Sequence, residues 1–327
     1  MRAVQIVNLD GPDAALALAE LPEPEASHLL TPGAGVVVEV RAAGVSFPEL
    51  LQTRGLYQLK PPLPFVPGSE VGGVVQSAPD GAPVRPGDRV AAFCMLGGFA
   101  EVAVAPAYLT FPLADGLDFA QGAALVLNPH TAYFALRTRG RLVAWETVLV
   151  HGAAGGVGLA AIQVAKGLGA RAIGVVSTDE KERVAREAGA DEVVRSDGAW
   201  KDAAKELTGG AGVDVVLDPV GGDRFTDSLR ALREGGRAVV VGFTAGAIPE
   251  VRVNRLLLNN IEVVGAGWGA FALGKPDLCA EIGAALGDLI AGGFIRPHIG
   301  ARFPLAGGEL DTVAIFEAYV RQLTPAG

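Results

Sequence analysis

Through its middle the chain alternates short apolar runs with stretches whose apolar positions recur at helical spacing. The runs at 147–151, 171–176, 192–194 and 214–217 read as strands, and helices are predicted at 156–168, 181–188, 200–207 and 225–232. Further strands are expected at 237–241 and 262–266. Strand and helix in alternation specify a doubly wound parallel sheet. The first third has another pattern. Short apolar runs at 34–43, 69–77, 88–93 and 98–104 read as strands, the second and third parted by the turn Pro86-Gly87-Asp88. Pro61, Pro62, Pro64 and Pro67 make 59–68 a loop, because proline lacks the N–H that either regular structure needs. This portion is expected to form a β-rich, barrel-like unit. Residues 119–136 read as a helix broken around Asn128 and Pro129. Helical stretches at 277–291 and 310–323 are expected to return to the first domain.

The segment 148–158, Val-Leu-Val-His-Gly-Ala-Ala-Gly-Gly-Val-Gly, narrows the chemistry. An apolar strand enters a glycine-rich turn and a helical segment leaves it. Glycine lets backbone come close to a pyrophosphate, and the first N–H groups of the following helix have no internal partner, so they can meet phosphate oxygens. Ala154, Gly155, Gly156, Val157 and Gly158 are therefore candidate cofactor contacts. Ala153 stands where the first fingerprint glycine is usual, leaving close approach to Gly155 and Gly158.

Composition agrees with this reading and removes others. The chain has 327 residues, enough for about two domains, and 50% are hydrophobic. A formal net charge of −9 argues against general binding of nucleic acid. No apolar run is long enough to span a membrane, and the N-terminus lacks the apolar core of a signal peptide. Cys94 and Cys279 make neither a disulfide framework nor a metal cluster, which makes a reducing, cytoplasmic setting the expectation. His28, His130, His151 and His298 are scattered, and each is read as solvent-facing or satisfied rather than as a ligand.

Six stretches then carry a resemblance. Gly-Val-Ser-Phe-Pro-Glu-Leu-Leu (44–51), Pro-Phe-Val-Pro-Gly-Ser-Glu (64–70) and Gly-Asp-Arg-Val (87–90) lie in the first third. His-Gly-Ala-Ala-Gly-Gly-Val-Gly (151–158), Asp-Pro-Val-Gly-Gly (218–222) and Gly-Trp-Gly (267–269) follow in order. Together they resemble the zinc-independent quinone oxidoreductase branch of the medium-chain dehydrogenase/reductase superfamily. The resemblance implies an α/β protein with a GroES-like β-rich catalytic domain, 1–120 completed by 270–327, and a Rossmann dinucleotide-binding domain, 121–269. It implies a homodimer and hydride transfer from a nicotinamide to a quinone or another electron-poor double bond. An enoyl or alkenal reductase acting on an α,β-unsaturated carbonyl is the alternative, and a low-turnover NADPH-binding redox sensor is a further one.

The resemblance also assigns positions. Zinc-using relatives carry a cysteine where Ser46 stands, a Gly-His-Glu run where Gly68-Ser69-Glu70 stands, and a cysteine-rich lobe at 94–98. Serine and carboxylate hold zinc poorly, so no metal is expected. NAD-using relatives place a carboxylate where this chain has Val176, and its absence, with Ser177, Thr178, Lys181 and Arg195 nearby, favours NADPH. The competing reading has Lys181 facing solvent and Arg195 paired with Asp197 or Glu192. Asn128, Thr131, Gly242, Phe243 and Trp268 are placed near the nicotinamide end, facing Ser46 and Tyr57 from the first domain. Tyr57 is the expected donor to substrate oxygen, and its competing reading is a loop aromatic packed on the proline-rich turn. Glu70 is read as a structural charge paired with an arginine. Relatives end in a Gly-Lys and an apolar strand where this chain ends in Leu-Thr-Pro-Ala-Gly; either that strand is missing from this sequence or the protein does without it, and if that lysine touches the cofactor, its loss weakens cofactor binding.

Overall fold

The computed structural model describes residues 1–305. The helix expected at 310–323 and the C-terminal residues lie outside the described residues. The chain divides into two compact units. The first comprises Met1–Leu127, Gly274–Gly283 and a segment beginning at Ile299; the second comprises Asn128–Leu273 and Ala284–His298.

In the first unit β1 (Arg2–Ile6), the short helix α1 (Pro12–Ala15) and β2 (Leu16–Glu20) form a small antiparallel pair. Then come β3 (Gly35–Ala43), α2 (Phe47–Gln52), β4 (Glu70–Ser77), β5 (Arg89–Phe93), β6 (Val102–Pro106) and β7 (Thr110–Pro112). The last five strands make one antiparallel sheet in the order β6-β3-β4-β5-β7. Its core is small and β-branched: Val36, Val38, Val71, Val75 and Val90 pack with Ala92 and Cys94. The strand expected at 98–104 begins later, at Val102, because Gly98 and Phe99 donate instead to Gly68 and Pro67 of the facing loop.

The expected helix over 119–136 is two helices, α3 (Phe119–Gly122) and α4 (Leu127–Tyr133). The break falls at Ala123–Val126, ahead of the predicted site. Asn128 and Pro129 sit in the first turn of α4, where a missing N–H costs nothing. Phe134–Arg139 continues with wider turns, closed by Gly140 donating to the Ala135 carbonyl. A Cβ on Gly72 would collide with the Phe119 carbonyl oxygen, and one on Gly44 with that of Ala123. So α3 lies tight on the first sheet, and the first unit runs to Leu127 rather than to the expected 120.

The second unit bears out the alternation. It contains β8 (Thr147–Val150), α5 (Gly156–Gly167), β9 (Arg171–Val176), α6 (Asp179–Glu187), β10 (Glu192–Arg195) and α7 (Trp200–Glu206). Then follow β11 (Val213–Asp218), α8 (Phe225–Ala231), β12 (Leu232–Val240), α9 (Asn254–Asn259), β13 (Glu262–Gly265) and α10 (Trp268–Ala272). The six strands are all parallel in the order β10-β9-β8-β11-β12-β13. Strand order therefore reverses between β8 and β11, and in such sheets ligands bind over the carboxyl ends of the strands at that reversal. The long helix α11 (Pro276–Ala291) was expected to return to the first domain. Its second half belongs to the second unit, where Leu289 lies over Gly167 and Gln163 of α5 donates to the Arg296 carbonyl.

Candidate functional site

In the second unit the candidate residues gather at the carboxyl edge of the parallel sheet. The chain leaves β8 through His151 and turns at Gly152, which has a φ of 58°. Gly155 is the N-cap of α5 and offers no side chain to its first N–H groups. Ala154, Gly155 and Val157 are half-buried and Gly156 is exposed, so these donors can reach a ligand. The glycines have different duties. A Cβ on Gly155 would meet only the Gly152 carbonyl oxygen, at 3.4 Å. One on Gly158 would collide with that same oxygen, so Gly158 is required for the packing of helix against turn. A Cβ on Gly156 would lie 2.5 Å from the Asn128 amide, which places Asn128 against the helix start. Thr131 is half-buried one turn further along α4.

The neighbouring strands bring the rest. Val176 ends β9, and Thr178 caps α6 by accepting from the Lys181 N–H at 3.2 Å. Lys181 Nζ donates to Ser177 Oγ at 3.2 Å. Arg195 donates to the Ser177 carbonyl at 3.2 Å and to Asp179 Oδ1 at 3.0 Å. The structure thus clusters Ser177, Thr178, Lys181 and Arg195. It also corrects the competing reading, since the acid that holds Arg195 is Asp179, while Glu192 pairs with Arg171. Burial holds the Lys181 ammonium below its ordinary range. Gly242 and Phe243 follow β12, and Thr244 and Ala245 donate to the carbonyls of Pro219 and Val220. Trp268 is buried and packs against His130 with ring centroids 5.5 Å apart and planes tilted by 50°.

The first unit has its own polar cluster. Ser46 is the N-cap of α2, and its N–H donates to Glu49 Oε2 at 2.9 Å. Glu49 Oε1 accepts from Ser69 Oγ at 2.5 Å. Glu70 Oε2 accepts from the N–H groups of Val126 and Leu127 at 3.1 and 2.8 Å. Glu70 is therefore held by backbone and not by the expected arginine. Both carboxyls are fully buried. Desolvation raises Glu49 and pushes Glu70 up to about 8, the charge of Glu49 adding to the latter. Burial likewise raises the Cys94 thiol, so it stays protonated. Tyr57 is half-buried and lines a small cavity with Gln52, Leu63 and Phe65; burial and the nearby Glu49 raise its hydroxyl.

Three histidines are buried rather than solvent-facing. His28 is satisfied, with Nε2 on the Cys94 carbonyl at 2.9 Å and Nδ1 accepting from the Leu30 N–H at 3.0 Å. The sequence passed over His151 and Asp218 as functional residues, although both stand inside the quoted motifs. No helix among the described residues is long and apolar enough to cross a membrane.

Comparison with known proteins follows this geometry. Residues 32–115 match the alcohol dehydrogenase GroES-like domain model, and residues 156–280 match the zinc-binding dehydrogenase model. The chain is 40% identical to rat quinone oxidoreductase-like protein 2 over 273 residues, 83% of this chain and 78% of that one. It is 33% identical to human quinone oxidoreductase over 308 residues, covering 93% and 91%. The crystal structure of Escherichia coli quinone oxidoreductase complexed with NADPH superposes with a TM-score of 0.84 at 31% identity, covering 99% and 98%.

Proposed function

This chain belongs to the quinone oxidoreductase branch of the medium-chain dehydrogenase/reductase superfamily, and from that premise we propose that it is an NADPH-dependent oxidoreductase that reduces a quinone without a metal ion. One observation carries the cofactor reading. An open, uncapped helix start at Gly155 lies on the same sheet edge as a strand that ends in Val176 with no carboxylate. Lys181 and Arg195 stand beside that end, where a 2′-phosphate would need positive charge. The residues present fit the cofactor: the Gly155–Gly158 turn would hold the pyrophosphate, and Ser177, Thr178, Lys181 and Arg195 the 2′-phosphate. Asn128, Thr131, Gly242, Phe243 and Trp268 would border the nicotinamide. When bound, NADPH supplies a hydride. Tyr57 donates its hydroxyl hydrogen bond to the substrate oxygen on which negative charge develops, and Ser46 adds polarity beside it.

The donor chemistry of the first unit supports a metal-free reaction. The Glu49 oxygens accept from Ser46 and Ser69, and Glu70 Oε2 accepts from two backbone N–H groups. Zinc needs deprotonated thiolate, imidazole or free carboxylate lone pairs in a tetrahedral set. The test is NADPH oxidation by the purified protein with a quinone, an enal and an enoyl thioester side by side, before and after chelation. Turnover with the quinone, unaffected by the chelator, is expected. Preference for the enal or thioester would make it an enoyl or alkenal reductase, and loss of activity on chelation would overturn the metal-free reading. Homodimer formation through β13 belongs to the same proposal, and so does the domain assignment of the catalytic and nucleotide-binding roles to the two units.

A further inference from the structure

His151 and Asp218 are neighbours across the strand reversal. The β8–β11 register pairs Val215 with Val148, Val216 with Leu149 and Leu217 with Val150. The next step along both strands brings Asp218 beside His151, and the His151 N–H donates to the Leu217 carbonyl at 3.0 Å. In-register positions of parallel neighbours point to the same face of a sheet. Both side chains are 1% exposed.

Their hydrogen bonds leave two acceptors bare. Ser228 Oγ donates its one hydrogen to the Arg224 carbonyl at 3.2 Å. With its hydrogen placed there, it accepts from His151 Nε2, 2.9 Å away, the tautomer in which Nε2 carries the ring proton. Nδ1 then has a lone pair and no donor. Asp218 Oδ1 accepts from the N–H groups of Val220 and Gly221 at 2.8 and 2.9 Å, while Oδ2, also buried, has no donor. A buried acceptor without a donor costs about 1–3 kcal/mol. An added proton makes Nδ1 a donor and sets a positive charge near the Asp218 carboxylate, whose charge favours it.

Those two residues also open the two turns at the strand reversal. His151 begins the glycine turn, and Asp218 pins the turn that Gly242, Phe243 and Thr244 pack against. We propose that His151 and Asp218 are a proton-linked positioning pair, in which His151 Nδ1 takes up one proton from solvent when the anionic nicotinamide cofactor binds above it. This rests on the cofactor reading given above. The proton comes from solvent and bonds to the Nδ1 lone pair, the group becomes imidazolium near the Asp218 carboxylate, and nothing is oxidised. In the free protein burial holds the imidazole below its ordinary range, with Asp218 opposing and the half-buried Arg224 reinforcing that shift. Trp200, edge-on at 4.8 Å, adds no charge. Added negative charge above the turn raises the midpoint. Because the bound midpoint is the higher, affinity gains as pH falls through the bound midpoint and is lost as pH rises through it.

The test is an NMR titration of the His151 imidazole with and without saturating NADP⁺. The resonance is identified by its loss in His151→Gln, or by its proximity to Trp200 if that variant does not fold. The midpoint is expected to rise by about one unit or more on binding, the scale of a neighbouring opposite charge. His151→Gln keeps a donor for Ser228 and is expected to remove the part of the pH dependence of NADP⁺ affinity that the ligand's own phosphate does not explain. Asp218→Asn is expected to lower the midpoint in the free protein. A bound midpoint that is unmoved or lower overturns the pair's role while leaving the cofactor reading standing. Failure of NADP⁺ to bind at all overturns both.

Discussion

Single atoms separate the glycines of the turn. A side chain at Gly155 meets open space and one carbonyl at 3.4 Å, whereas a side chain at Gly158 has nowhere to go. Gly155→Val is therefore expected to keep its melting temperature and lose NADPH affinity at least about tenfold, since binding needs backbone approach. Gly158→Ala is expected to cost about 1–3 kcal/mol of stability through overpacking. Calorimetry and a binding titration on both variants check the pair, and unchanged NADPH affinity in Gly155→Val would contradict the placement of the pyrophosphate. Lys181→Ala and Arg195→Ala are expected to weaken NADPH far more than NADH. Equal losses for the two nucleotides would remove the 2′-phosphate assignment. Asp179 competes for Arg195, so Asp179→Asn is expected to act in the opposite direction. Tyr57→Phe is expected to lower turnover and leave cofactor affinity alone; full activity in that variant would leave Tyr57 as a packing residue.

At the level of elements, buried carboxyls join segments far apart in sequence. Glu49 links the start of α2 to Ser69, and Glu70 links β4 to the chain at Val126 and Leu127. Glu70 titrates near 8 in the folded protein, well above an unfolded glutamate. A raised folded value favours the fold below the unfolded value, and that advantage is lost as pH rises through the folded one. Melting temperature is therefore expected to decline between about pH 4.5 and 8, the window set by those two values. Glu70→Gln, which keeps an acceptor for both N–H groups, is expected to flatten the decline. A wild-type curve with the same shape as the variant's would show that Glu70 ionises freely. The strands of the second unit were readable because each is an apolar run bounded by glycine or a charged turn. The helix break before α4 was not, because it is imposed by the close seat of α3 on Gly44 and Gly72 and not by the proline.

For the whole molecule, β13 is the outer strand of the six-stranded sheet among the described residues, and an open edge attracts another strand. Leu257 and Leu258 on α9 are 75% and 74% exposed beside it, with Val263 on the strand itself 38% exposed. A two-fold related copy would cover all three. Leu258→Asp is expected to shift the protein from dimer to monomer in sedimentation, with its melting temperature falling as the apolar cover is lost. A wild-type monomer at working concentration would refute the dimer.

Short-range pattern was enough for the alternation of strand and helix and for the glycine turn, because each depends on residues adjacent in the chain; the missing acid at Val176 and the serines at 46 and 69 were read through the resemblance of those motifs to a family. The partners of Arg195, Glu70 and His151 depend on strand order and register instead. Asp179 and Arg195 are 16 residues apart, and His151 and Ser228 are 77 apart. Only the assembled sheet with its helices brings such groups within a hydrogen bond of each other, so their charge states and pairings came into being with the packing.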